Sequence, residues 1–103
     1  MLRVGSVGIV GATGAVGRTM LSVLEESNVE IGEVSLFASE RSSGQVMKFR
    51  GKDVTVETLS EEAMHRGFDY LLFSAGGEVS RRFAPIAAAS GTTVIDNSSA
   101  FRM

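Results

Sequence analysis

The sequence predicts an α/β fold, a parallel doubly wound sheet with helices on both faces. Three observations carry that expectation. Residues 7–17 (VGIVGATGAVG) are an apolar run that opens straight into glycines at 11, 14 and 17. Strand-like apolar segments alternate with helix-like segments along the chain, the order that gives parallel strands joined by right-handed crossovers. Twelve glycines against one proline suit several tight strand–helix turns.

Arg3–Val10 reads as a buried first strand, with Val4, Val7, Ile9 and Val10 as its apolar content. A helix follows over residues 15–27. Val16, Met20, Val23 and Leu24 recur at helical spacing, and Thr13 is the candidate N-cap. Residues 33–39 (EVSLFAS) give a second, mainly apolar strand. Residues 45–49 and 53–58 alternate in polarity around Arg50-Gly51-Lys52, which predicts a small hairpin or two short strands. Ser60 can cap a short helix over 60–66, whose Glu61 and Glu62 suit a positive helix start.

Residues 70–74 (YLLFS) form the next buried strand, ending at Ala75-Gly76-Gly77. A helix over 78–90 contains Pro85, which removes a backbone donor and is expected to kink it or leave its first turn irregular. Gly91 fits a left-handed C-terminal position. Residues 92–96 (TTVID) are the last strand, and 97–103 leave its carboxyl end. Asp69 and Asp96 flank strands and are expected to satisfy backbone groups. His65, on a short polar helix, is given no role.

Composition narrows the function classes. At 103 residues the chain is one small domain, and 44% apolar residues suffice for a core. A net charge of −2 without a basic cluster argues against nucleic acid as a partner. Without cysteine there is neither a disulfide framework nor a thiolate metal site, and a single histidine leaves no basis for a His-based one. The longest charge-free runs, 4–17 and 83–95 apart from their glycine and proline breaks, fall short of the ~20 residues of a membrane-spanning helix. Arg3 before an apolar stretch has the outline of a signal peptide, but the glycines interrupt it and the residues make a better strand and turn. A cytoplasmic protein is expected.

Gly11, Gly14 and Gly17 are spaced G-x-x-G-x-x-G, a looser variant of the dinucleotide pattern G-x-G-x-x-G. Such a turn lets the backbone bend sharply and approach a ligand, while the unpaired N–H groups and dipole of the next helix attract an anion. In a doubly wound, Rossmann-type sheet the usual occupant is a pyrophosphate. Ligands there bind at the carboxyl ends of the strands. Four segments converge on that edge: the glycine turn, residues 39–44, residues 74–77 and residues 97–102.

The end of the second strand bears on the cofactor. NAD-binding members of this architecture usually place an acidic residue there, about 20 residues past the glycines. This chain reads Ala38-Ser39-Glu40-Arg41-Ser42-Ser43-Gly44. Arg41 can fork onto a 2′-phosphate, with hydroxyls from Ser39, Ser42 and Ser43 beside it, which favours NADP. Glu40, if turned inward, would favour NAD.

The chain resembles the N-terminal part of the aspartate-β-semialdehyde dehydrogenases. The matching segments are GATGAVG (11–17), LFASERSSG (36–44), SAGGEVS (74–80), APIAA (84–88) and VIDNSSAFRM (94–103). The N-acetyl-glutamyl-phosphate reductases share the plan but differ at DNSSAFRM, and the glyceraldehyde-3-phosphate dehydrogenases are more distant. The resemblance implies a reversible NADP-dependent reaction in which β-aspartyl phosphate is reduced to aspartate-β-semialdehyde and phosphate is released. It implies that Thr13, Gly14, Ala15 and Val16 contact the cofactor phosphates and that Arg41 and Ser42 hold the 2′-phosphate. Arg102 is implied to bind inorganic phosphate or the substrate's acyl phosphate, and a guanidinium at the ligand edge suits that task. Asn97, Ser98 and Ser99 either hydrogen-bond to the nicotinamide side or the phosphate, or cap the strand end. Ser74 and Gly76 lie near the cofactor by topology.

The family's chemistry runs through a cysteine thiolate with a histidine as acid–base partner. The chain has no cysteine, so no catalytic residue is assigned to it. The expectation is an incomplete N-terminal portion, residues 1–103, of a longer dehydrogenase whose catalytic and dimerisation domain lies elsewhere and which forms a homo-oligomer. A non-catalytic nucleotide-binding module or paralogue, or a different NADP-dependent reductase, are the alternatives.

Overall fold

The computed structural model describes residues 3–74 and 77–96. In chain order the elements are β1 (Arg3–Val10), α1 (Ala15–Glu26), β2 (Glu30–Ala38), β3 (Val46–Phe49), β4 (Lys52–Thr55), β5 (Glu57–Thr58), α2 (Glu61–Met64), β6 (Tyr70–Phe73), α3 (Gly77–Ala89) and β7 (Thr93–Asp96). Five strands form one sheet in the order β5-β2-β1-β6-β7, and β3 and β4 pair separately as an antiparallel hairpin. Every pairing in the larger sheet is parallel. The α/β, Rossmann-like architecture is the one the alternation of segments predicts.

Successive side chains of a strand point to opposite faces, and the core divides accordingly. Ile9 and Leu36 pack with Leu21 of α1 and with Met47, Phe49 and Val56 from the hairpin side. The intervening residues Val10 and Phe37, with Leu71 and Phe73, pack under Met64 of α2 and Phe83 and Ala87 of α3. Phe37, Phe73, Ile9 and Leu36 are fully buried. Each such side chain contributes about 1.5–3 kcal/mol by leaving water. Over the outer half of the sheet, on the α1 side, Leu72 and Ile95 line a shallow apolar cleft of about 160 Å³ with Val4, Val7, Leu24, Val29, Ile31 and Tyr70.

Most element positions follow the sequence reading, and the departures have local causes. β2 begins at Glu30, earlier than expected, because Arg3 and Val4 of β1 offer register partners to Glu30 and Ile31. The segment 53–58 is two strands in different sheets. Val56, buried in the core, breaks it: its N–H donates to the Gln45 carbonyl and its carbonyl accepts from the Gly44 N–H. Downstream, Glu57 and Thr58 pair with Phe37 and Ala38 at the sheet edge.

Arg50 and Gly51 both have positive φ, 51° and 84°, as a two-residue type I′ hairpin requires. Ser60 caps α2 as expected, its hydroxyl accepting from the Ala63 N–H at 3.1 Å. α3 runs through Pro85 as one helix, with the proline on its exposed side. Gly91 takes the left-handed conformation, φ 89°. Asp69 accepts from the Gly5 and Ser6 N–H groups, at 2.7 and 3.1 Å. Asp96 accepts from the Ser80 hydroxyl at 2.6 Å.

The buried face of α1 is a correction. Gly17 and Leu21 are its buried residues, with Met20 and Leu24 partly covered, whereas Val16 and Val23 are 48% and 64% exposed. The helix lies so close to the strand–helix turn that a residue without a side chain occupies the centre of its contact face.

Candidate functional site at the carboxyl edge

β1 and β6 are neighbours, but the chain leaves β1 toward β2 on the other side. The crevice between β1 and β6 is therefore the topological switch point, where ligands enter doubly wound sheets. The glycine turn sits on it.

The turn is built from three sides. Gly11, at φ 84°, directs its own N–H and that of Ala12 onto the Phe37 carbonyl near the end of β2, at 2.8 and 3.1 Å. The Gly11 carbonyl accepts from the Gly14 N–H at 3.2 Å, closing the turn. From β6, the Ser74 N–H donates to the Val10 carbonyl at 2.9 Å, and the Ser74 hydroxyl lies 2.9 and 3.0 Å from the Val10 and Gly11 carbonyls. The Arg18 Nε donates to the Thr13 carbonyl at 2.9 Å.

The expected Thr13 cap is corrected by this geometry. Gly14 is the N-cap of α1, extended at φ −78° and ψ 171°, and no side chain bonds the helix start. Gly14 takes that place because its backbone is extended while its carbonyl already accepts the first helical bond, from the Arg18 N–H at 2.9 Å. Among the described residues, the N–H groups of Thr13, Ala15, Val16 and Gly17 have no acceptor, while Arg18 begins the helical bonding by donating to the Gly14 carbonyl. Four donors at the positive end of a 12-residue helix make an anion-binding arrangement.

The three glycines are needed for different reasons. Gly11 has a backbone conformation that side chains resist. A Cβ on Gly17 would overlap the Gly11 carbonyl oxygen and come within 2.8 Å of the Ala12 Cα. A Cβ on Gly14 would meet only the Gly11 carbonyl oxygen, at 3.6 Å, an ordinary contact. Neither packing nor backbone strain requires glycine at 14, and it is exposed at the mouth of the turn.

Beyond β2, residues 39–44 fold into a compact turn. The Ser39 carbonyl accepts from the Ser42 and Ser43 N–H groups, both at 2.9 Å, and the Ser43 hydroxyl donates to the Glu40 carbonyl at 3.0 Å. Gly44, at φ 89°, returns the chain to Val56. Ser39, Glu40 and Arg41 are exposed and Ser42 half-buried. The side chains of Glu40 and Arg41 make no ion pair or hydrogen bond with the described residues. By contrast Arg3, Lys48, Arg66 and Arg82 are paired with Glu30, Asp53, Glu57 and Glu61.

The structure thus brings Gly11, Thr13, Gly14, Ala15, Val16, Gly17 and Ser74 together, with the turn carrying Ser39, Arg41 and Ser42 following β2 on the same edge. Gly76, Asn97 and Arg102, together with Ser98 and Ser99, lie outside the described residues. Arg18 was not singled out in the sequence. Its signal, an arginine in the first turns of a glycine-led helix, is visible only once its bond to Thr13 is known. No group of acidic, histidine or cysteine side chains that could hold a metal occurs among the described residues, and no described helix is long and apolar enough to cross a membrane.

Comparison with known proteins identifies the family. Residues 6–103 match the family described as semialdehyde dehydrogenase, NAD binding domain. The aspartate-semialdehyde dehydrogenase of Aquifex aeolicus is 57% identical over 97 residues, 94% of this chain and 28% of the relative. That of Bacillus subtilis is 50% identical over 97 residues, again 94% of this chain and 28% of the relative. The crystal structure of aspartate semialdehyde dehydrogenase II complexed with ASA from Vibrio cholerae superposes with a TM-score of 0.86 at 52% identity, covering 94% of this chain and 31% of that one. The chain spans less than a third of the length of these relatives. It belongs to the semialdehyde dehydrogenase NAD-binding domain family and corresponds to the N-terminal region of the aspartate-semialdehyde dehydrogenases.

Proposed function

We propose that residues 1–103 are the NADP-binding part of an aspartate-semialdehyde dehydrogenase, a homo-oligomeric enzyme that reduces β-aspartyl phosphate to aspartate β-semialdehyde and releases phosphate. The observation that carries this reading is the set of four unpaired N–H groups at Thr13, Ala15, Val16 and Gly17, fronted by a glycine that the fold itself does not require.

Bound NADPH supplies the hydride. The chain's own groups hold and orient the cofactor. The four N–H groups neutralise the pyrophosphate, and the bare Gly14 lets it approach the backbone closely. Arg41, free of internal partners, reaches the 2′-phosphate with hydroxyls from Ser39 and Ser42 beside it. Ser74 and Gly76 are assigned to the neighbourhood of the cofactor by topology. Asn97 and Arg102 are assigned to the phosphate of the substrate, Arg102 as the bidentate partner. The chain contains no thiol, so the attacking nucleophile comes from the remainder of the longer polypeptide.

Calorimetric titration with NADP and with NAD tests the assignment. NADP is expected to bind about 10–100-fold more tightly, the value of one charge-assisted contact to the 2′-phosphate. Equal affinities, or tighter binding of NAD through Glu40, would overturn the cofactor choice.

A further inference from the structure

An anion site lined by backbone N–H groups depends on the turn that carries them being held in one conformation. In this turn the carbonyls of Val10, Gly11, Thr13 and Gly14 have donors among the described residues. The Val10 carbonyl accepts from the Ser74 N–H and hydroxyl. The Gly11 carbonyl accepts from the Gly14 N–H and the same Ser74 hydroxyl. The Thr13 carbonyl accepts from the Arg18 Nε, and the Gly14 carbonyl from the Arg18 N–H. Two side chains, one just after β6 and one at the end of the first turn of α1, therefore hold carbonyls of the turn.

We propose that Ser74 and Arg18 are positioning residues for the dinucleotide site: they fix the carbonyls of Val10, Gly11 and Thr13 in donor contacts and so hold in one conformation the turn that offers the Thr13, Ala15, Val16 and Gly17 N–H groups to the cofactor pyrophosphate. The inference rests on the cofactor reading above and adds to it. It also gives Ser74 a different task from direct cofactor contact. The Ser74 hydroxyl has one proton, shared between two carbonyls 2.9 and 3.0 Å away. Arg18 is exposed and, through Nε, is bonded to the carbonyl of the residue whose own N–H is unpaired.

The Ser74 hydroxyl is not needed to avoid orphaned groups. Without the Ser74 hydroxyl, Val10 keeps the Ser74 N–H and Gly11 keeps the Gly14 N–H. Loss of the hydroxyl should then leave thermal stability close to that of the parent while loosening the turn. A hydroxyl acting only in the fold would do the reverse.

The test uses the 103-residue chain and NADP as probe, with affinity by calorimetry, thermal midpoint by circular dichroism and backbone amide spectra of the free protein. Ser74→Ala is expected to weaken NADP binding about 3–10-fold, the net worth of one neutral hydrogen bond, and Ser74→Thr to restore it. Arg18→Ala should weaken binding to a similar degree. Arg18→Lys should not restore it, because a lysine keeps the charge but lacks the Nε donor at that position. In the free Ser74→Ala protein the Thr13 and Ala15 amide resonances should already move. Parental affinity in Ser74→Ala, failure of Ser74→Thr to recover it, or full rescue by Arg18→Lys would each overturn the proposal. Absence of NADP binding by the parental chain would instead overturn the cofactor reading itself.

Discussion

Gly17 and the Gly11 carbonyl oxygen are packed so closely that no Cβ fits between them, and the Ala12 Cα closes the same space at 2.8 Å. The contact fixes how near α1 comes to the end of β1, and with it where the four unpaired N–H groups stand. Both neighbours are backbone, so neither can rotate aside. Gly17→Ala is expected to lower unfolding stability by about 1–3 kcal/mol, the range for overpacking a tight site. Urea unfolding checks it, and a loss below about 0.5 kcal/mol, within ordinary surface-mutation scatter, would show that the helix can shift.

Gly14 should behave in the opposite way. A methyl group there meets an ordinary 3.6 Å contact, and the φ of −78° suits alanine. The poorer N-cap propensity of alanine and the reduced freedom of the unfolded chain act in opposite directions, so stability should change by less than about 0.5 kcal/mol. NADP affinity should nonetheless fall, because the methyl group projects at the mouth of the turn. Paired calorimetry and urea unfolding on Gly14→Ala separate the two effects. Unchanged affinity would mean that the ligand does not approach this residue.

Arg50 ties the β3–β4 hairpin to the end of α1. Its N–H donates to the Glu25 carboxylate at 2.8 Å, and its guanidinium donates to the Leu24, Glu25 and Ser27 carbonyls at 2.9, 3.2 and 3.0 Å. The Leu24 carbonyl also accepts from Ser27, whereas Glu25 and Ser27 belong to the helix end whose carbonyls lack intrahelical donors, and the positive charge meets the negative end of the dipole. Arg50→Ala should cost about 1–2 kcal/mol in urea unfolding, combining the lost charged bonds with a methyl group at positive φ. Arg50→Gly should recover only the backbone share. If both variants match the parent, the guanidinium contacts contribute nothing.

Arg41, whose side chain has no hydrogen-bond or ion-pair partner among the described residues, is proposed to read the 2′-phosphate. Arg41→Ala should therefore weaken NADP by about 10–100-fold and NAD far less. It should also reduce the salt sensitivity of NADP binding, since a phosphate–guanidinium contact is screened. Equal weakening of both cofactors would assign the arginine to support of the loop.

Much of this was legible before the structure. The succession of strands and helices, the glycine turn, the Ser60 cap and the hairpin at Arg50-Gly51 follow from local apolar runs and turn chemistry, which the sequence displays directly. The buried face of α1 did not follow. Periodicity counts apolar side chains, and Gly17, at the centre of the contact, has none to count; Val16 and Val23 took its place in the reading. Val56 hid a strand break because its polarity continues the alternation while its backbone bonds turn to Gln45 and Gly44. The side-chain contacts of Arg18 and Arg50 were not legible, since their partners are mainly backbone carbonyls and a carbonyl looks the same at every position. For Ser74 topology indicated the neighbourhood, and only the distances to Val10 and Gly11 revealed its partners.

The start of α1 is proposed to hold the cofactor pyrophosphate, and amide resonances report on such binding directly. A nitrogen-15-labelled chain titrated with NADP should show its largest shifts at Thr13, Ala15, Val16 and Gly17, with smaller ones at residues 39–43 and little change over β3 and β4. Largest shifts on the hairpin or at the far end of α1, or none anywhere at saturating NADP, would contradict the account.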